Sequence, residues 1–168
     1  MLDLSKVEAG QTDLQMTQIA LNALITEVLE QLEGSKPYPQ VPLRTALPLV
    51  IAPVLTDVSK LKQILINLVG NALKFTPEGT VTVRVEVEPA THRPISIDVV
   101  DTGIGIPPER REAIFEHFQQ ADNNTAWKYG GTGLGLAISR ALCQLLGCQL
   151  TVDSTVGQGS TFRIIMPV

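Results

Sequence analysis

Leu21, Leu24, Ile25, Val28, Leu29 and Leu32 recur three or four residues apart, so they line one helical face and predict a helix over 22–32. The alternation ahead of it predicts an edge strand over 12–19. Three prolines between 34 and 42 mark a loop, and short strands are expected over 41–46 and 50–55, interrupted by Pro48 and Pro53. A longer helix runs to Phe75, capped by Asp57 or Ser59 and stopped by Pro77 and Gly79. Valine then alternates with polar residues over 80–88, and 95–101 alternates before turning apolar, which together read as a hairpin. Pro107 and Pro108 open a short helix to Ile114. The polar run 119–128 reads as a long loop, after which Gly130, Gly131, Gly133 and Gly135 lead into a helix over 134–146. A closing hairpin, 148–154 with 160–166, surrounds Gly157 and Gly159. The first ten residues, with Leu2, Leu4, Val7 and a terminal Gly10, read as the end of a helix, either a short native one or the tail of a longer element.

Composition narrows this picture to one folded domain. The chain has 168 residues, 44% hydrophobic and 18% charged, which excludes disorder and leaves room for one real core. Its net charge of −4 comes without a lysine or arginine cluster, so a nucleic-acid partner is not expected. Cys143 and Cys148 stand without further cysteines or paired histidines and read as free thiols of a reducing cytoplasm rather than a zinc or disulfide framework. No run reaches membrane-spanning length and no signal peptide precedes the first element, so a cytoplasmic location without membrane contact is expected for this piece, whether or not a parent protein is anchored.

Three stretches carry chemistry. On the helix ending at Phe75, Lys60, Gln63, Asn67, Asn71 and Lys74 share a stripe roughly 80° wide at about 100° per residue, walled by apolar positions. A wet face would ordinarily carry Glu, Lys or Arg, and asparagine costs roughly 0.5 kcal/mol of helix propensity against alanine, so the stripe reads as a site. Asp101 falls where a buried strand leaves the sheet, followed by Gly103 and Gly105. It either caps a turn, or accepts a hydrogen bond from an exocyclic amino group such as adenine's, with the glycines letting a flat ligand approach the backbone. Gly131-Thr132-Gly133-Leu134-Gly135 enters a helix and offers free N–H groups to an anion; it lacks the lysine of a Walker loop and the preceding strand of a dinucleotide fingerprint. Mg²⁺ takes oxygen ligands, and Asn71 can supply one beside Asn67, with Lys74 a turn closer to phosphates.

Asn67-Leu-Val-Gly-Asn71-Ala-Leu-Lys74-Phe75, Asp101-Thr-Gly-Ile-Gly105, Phe115-Glu-His-Phe118 and Gly131-Thr-Gly-Leu-Gly135 resemble, in order and spacing, the N, G1, F and G2 boxes of sensor histidine kinases. The resemblance covers nearly the whole chain. It implies a two-layer α/β sandwich of the Bergerat type, a mixed and mostly antiparallel sheet covered on one face by helices, with ATP between the layers under a mobile lid over 119–128. It further implies that Asn71 coordinates Mg²⁺ with help from Asn67, that Lys74 meets phosphate, that Phe75 lines the pocket, that Asp101 holds the adenine amino group and that Thr161 lies near the ring. Lys128, in the lid, would reach the γ-phosphate or remain a solvated lysine. Residues 1–10 resemble the end of the family's second dimerisation helix, leaving 11–168 as the catalytic and ATP-binding domain.

The family's phosphate acceptor is a histidine on the preceding helix. Here His92 sits in a proline-bounded loop and His117 between the two phenylalanines, so neither is read as catalytic, and the chain alone is expected to bind ATP without phosphorylating itself. The implied partners are a dimerisation and histidine-phosphotransfer domain of the same parent and a downstream response regulator. ATP hydrolases of the gyrase, mismatch-repair and chaperone type place a glutamate base one turn before the metal asparagine. That position is Asn67, which cannot take a proton, so transfer is favoured over hydrolysis; a degenerate binding module is disfavoured because the Asn, Asp and Gly positions are all intact.

Overall fold

The computed structural model describes residues 13–115 and 135–167. Strand β1 (Met16–Ile19) leads into helix α1 (Leu21–Glu33), then β2 (Leu43–Ala46), β3 (Val54–Asp57) and helix α2 (Val58–Lys74). Strands β4 (Val81–Val87) and β5 (Pro94–Asp101) form a hairpin, and helix α3 (Gly135–Leu145) precedes the final hairpin of β6 (Gln149–Thr155) and β7 (Gly159–Ile165). The main sheet runs β2-β4-β5-β7-β6, parallel only at β2 against β4. It is the mixed, mostly antiparallel sheet that the resemblance to sensor histidine kinases implies.

Strand alternation explains how the layers meet. Val81, Val83 and Val85 of β4, Ile97 and Val99 of β5, and Phe162 and Ile164 of β7 are all buried and, by register, share one face of the sheet. Against them lie the apolar sides of the helices: Leu21, Leu24, Ile25 and Val28 of α1, Leu61, Ile64, Leu65, Leu68 and Val69 of α2, and Leu142 and Cys143 of α3. The opposite face is polar. On it Asp98, fully buried, accepts from Arg84 Nη2 of β4 at 2.8 Å and from Arg163 Nε of β7 at 3.0 Å, one guanidinium on either side. Burial alone would raise the Asp98 pKa, but the two arginines outweigh it and hold the carboxyl below its ordinary value.

Three elements differ from expectation. The strand expected over 50–55 forms at Val54–Asp57, because Pro53 cannot donate to a ladder; Leu49 and Val50 stay exposed ahead of it. The edge strand over 12–19 contracts to Met16–Ile19, paired with β3 in a separate two-stranded ribbon. The short helix after Pro107 is two 3₁₀ turns, Pro108–Arg110 and Ala113–Phe115. The helix expected over 1–10 lies outside the described residues.

Asp57 holds the start of α2. Its side chain accepts from the Lys60 backbone N–H at 3.2 Å as the N-cap, from Ser59 Oγ at 2.9 Å, from Lys60 Nζ at 3.2 Å and from the Gln15 N–H at 2.8 Å. Burial raises its pKa, but these donors overcome that and bring it down to about 2. A folded value below the unfolded one contributes stability that is present above about pH 4 and lost as the pH falls toward 2. Asp57→Ala strands the Lys60 ammonium in a buried position and removes the cap; urea unfolding at pH 7 should show a loss of roughly 3 kcal/mol, and the acid limb between pH 4 and 2 should flatten.

Candidate nucleotide site

The polar stripe of α2 divides in two. Lys60 belongs to the Asp57 cap, and the Gln63 Nε2 donates to Asn67 Oδ1 at 3.0 Å. Asn67 Nδ2 crosses to α3, donating to the Gly135 carbonyl at 3.3 Å and to Ser139 Oγ at 3.2 Å. The first three positions are therefore absorbed by packing. One turn further on, the half-buried Asn71 side chain makes no hydrogen bond among the described residues, and the Lys74 ammonium stands 6.0 Å from the centroid of the Phe75 ring. Polar groups on a largely buried helix normally find protein partners. Among the described residues, Asn71 is the asparagine of the stripe for which that rule lapses.

Asp101 ends β5, 6% exposed. Its Oδ1 accepts from the N–H of Gly103 at 3.0 Å and of Ser160 at 3.2 Å, while Oδ2 has no partner among the described residues. Among the described residues no cation balances it, in contrast to Asp57 and Asp98. Desolvation is the dominant influence and raises its pKa, the two N–H groups pull it back, and the carboxyl settles at about 6.

The loop that follows is clasped from both sides. Ile104 N–H donates to the carbonyl of Phe75 at the end of α2 (3.0 Å), and Gly157 N–H, in the β6–β7 turn, donates to the Ile104 carbonyl (2.8 Å). A Cβ on Gly103 would collide with the Phe75 carbonyl, and one on Gly105, whose φ is +74°, with the Thr155 carbonyl. The two glycines therefore make room for neighbouring backbone rather than for a flat ligand, which corrects the reading from sequence. They fix Asp101 relative to Asn71, since the Phe75 N–H bonds back to the Asn71 carbonyl at 3.1 Å.

Thr161 departs further. It pairs with Val100, so it lies on the polar face of the sheet, whereas Asp101 pairs with Ser160 on the helix face. The hydroxyls beside Asp101 are those of Ser160 and Ser154, 2.7 Å apart, with Ser154 Oγ also donating to the Gly159 carbonyl at 3.0 Å and accepting from Ile106 N–H at 2.7 Å. Reading missed both serines. Counting back from Phe162 along β7 by twos gives Ser160 and would have found the first.

Phe115 is buried, its ring edge-on to Phe162 at 6.2 Å between centroids and covered by the Arg140 guanidinium of α3 at 5.1 Å. Gly135 is the first residue of α3. His117, Phe118, the lid over 119–128 with Lys128, and Gly131, Thr132, Gly133 and Leu134 lie outside the described residues.

Residues 56–168 match the family described as histidine kinase-, DNA gyrase B-, and HSP90-like ATPase. The chain belongs to this ATPase family. Within it, the chain is 44% identical over 169 residues to the circadian input-output histidine kinase CikA of Synechococcus elongatus, covering 99% of this chain and 22% of the relative. It is 41% identical to the sensor protein GacS of Pseudomonas syringae, covering 97% of this chain and 18% of that protein. It thus spans about a fifth of these curated relatives. Among solved structures, full-length ShkA in complex with AMPPNP superimposes with a TM-score of 0.84 at 30% identity, covering 98% of this chain and 33% of that one. The catalytic domain of the histidine kinase ThkA, in a nucleotide-free form, gives 0.75 at 26%, covering 92% and 96%. The fold of this ATPase domain is thus that of histidine kinase catalytic domains.

The raised pKa of Asp101 has a measurable consequence. Between about pH 4 and 6 the folded ATPase domain holds a proton that the unfolded chain has released, so Asp101 makes stability fall as pH rises through that interval. Asp101→Asn keeps an oxygen for the N–H groups of Gly103 and Ser160 and removes the titration. Thermal or urea unfolding from pH 4 to 7 should show the variant gaining on the native chain up to roughly 2–3 kcal/mol at pH 7; parallel pH profiles would place the titration elsewhere.

Proposed function

We propose that this chain is the ATP-binding catalytic domain of a sensor histidine kinase, transferring the γ-phosphate of ATP to a histidine on a dimerisation domain of the same parent protein, for onward transfer to a response regulator in the cytoplasm. The observation that carries the reading is Asp101, a carboxylate nearly sealed from water with one oxygen satisfied by backbone N–H groups and the other unengaged among the described residues. Such an oxygen accepts from the amino group of adenine and would repel the carbonyl of guanine. The pattern of relatives supports the kinase class: CikA and GacS are named as a histidine kinase and a sensor protein.

The donor set fits Mg-ATP. Asn71 offers a neutral amide oxygen with no other partner among the described residues, which suits a hard cation that retains several waters. Bound there, Mg²⁺ would neutralise charge on the phosphate oxygens. Lys74 adds a positive charge at the same end of α2 and Phe75 packs beside it; phosphate binding is assigned also to the glycine-rich sequence Gly131-Thr132-Gly133-Leu134. Asn67 holds no basic group, so water gains no general base from this helix, which favours transfer to a protein acceptor over hydrolysis. His92 is a poor acceptor: it precedes β5, at the end of that eight-residue strand opposite Asp101, roughly 25 Å away at the usual rise per residue.

Calorimetry with ATP and GTP, each with and without Mg²⁺, tests the assignment. ATP should bind more tightly than GTP by about tenfold or more. Asp101→Ala should abolish that preference, and Asn71→Ala should make ATP affinity insensitive to Mg²⁺. Equal affinity for the two nucleotides in the native chain would remove Asp101 from adenine recognition.

A further inference from the structure

The two asparagines of the stripe, one turn apart on α2, are held differently. Asn67 is fully engaged: its Oδ1 accepts from Gln63, and its Nδ2 donates to the Gly135 carbonyl and to Ser139 Oγ. Ser139 is completely buried and its own hydroxyl also donates to the Gly135 carbonyl, at 2.9 Å. The result is a polar cluster of Gln63, Asn67, Ser139 and the Gly135 carbonyl that joins α2 to the first turn of α3, with Ser139 at its buried end. Turning the Asn67 amide to present its oxygen elsewhere would break all three bonds and leave the Ser139 hydroxyl sealed with one partner fewer.

We infer that Asn67 is a positioning residue rather than a metal ligand: it joins the first turn of α3 to α2 and so sets the spacing between Asn71 and the helix start at Gly135. The inference rests on the nucleotide reading above and assigns the two asparagines separate work. Asn71 faces the ligand; Asn67 holds two walls of its site at a fixed distance. Because its side chain donates to α3, the role requires the amide N–H₂ and not the oxygen alone. A metal ligand has the opposite requirement.

That contrast makes Asn67→Asp the informative variant, with Asn67→Ala and Ser139→Ala beside it. Aspartate keeps an oxygen for Mg²⁺ and adds charge, but cannot donate to the Gly135 carbonyl. Three measurements on this chain decide: ATP affinity in Mg²⁺, ATP affinity in excess chelator, and amide exchange over the first turns of α3 without nucleotide. Both Asn67 variants should weaken ATP by a similar factor, about tenfold, with and without Mg²⁺, and should speed exchange in α3. Combined with Ser139→Ala, Asn67→Ala should cost less than the product of the single effects, since both act on one cluster. A loss confined to the Mg²⁺ titration, with affinity retained by Asn67→Asp and α3 exchange unchanged, would overturn the inference and make Asn67 a ligand. Absence of ATP binding by the native chain would instead defeat the nucleotide reading, while the exchange measurement would still report on the α2–α3 cluster.

Discussion

A carboxylate shut away from water must be met by a cation or by enough oriented donors, and the three buried aspartates among the described residues meet that demand in different ways. Asp98 lies between two guanidinium groups and Asp57 beside an ammonium and a helix N-terminus, and both are held in the charged form. Asp101 receives, among the described residues, only two backbone N–H groups, and rests near the midpoint between charge and neutrality in weakly acidic solution. Compensation is complete where the aspartate serves the fold. It is incomplete at the mouth of β5, where a ligand's donor would finish it, and strongly shifted carboxyls of that kind cluster at functional sites.

The rest of the site depends on keeping Asp101 where it is. Its loop is pressed between the end of α2 and the β6–β7 turn, with backbone against backbone on both sides, so the carboxylate is tied by hydrogen bonds both to the helix end that carries Asn71 and to the turn beside the Ser154–Ser160 pair. Phe115, under Phe162 and Arg140, ties the approach from the other side to the same core. The site is thus carried by the sheet and two helices, which favours a preformed geometry on the described side.

Much of this was legible from spacing alone, and the failures are instructive. The helical periodicity of α1 and α2 survives because each buries a single face, and the parallel placement of β2 was hidden because nothing in four residues of edge strand records which neighbour they join. Asp101 and Asn71 could be singled out as polar groups in apolar surroundings. The separation of Asn67 from Asn71 could not, since it depends on α3 arriving from 68 residues away to consume one amide and not the other. Gly103 and Gly105 were correctly marked as special positions. Which atom presses on them is a tertiary fact, and it turned out to be the chain itself. Thr161 lies on the face opposite Asp101, and in a strand one residue is the whole difference between faces.

The same parity gives the Asp98 ion pairs a second meaning. They sit three residues ahead of Asp101 on the polar face, joining β5 at once to β4 and β7. Were β5 to pair one residue out of step, Asp98 would turn inward among Val83, Val85 and Phe162, and Val99 would turn out to water. Such a slip costs a buried, unpaired charge on top of the lost apolar contact. The arginine-flanked aspartate is therefore a counting mark: it penalises wrong alignments of the central hairpin, and with them any arrangement in which Asp101 would emerge on the wrong side.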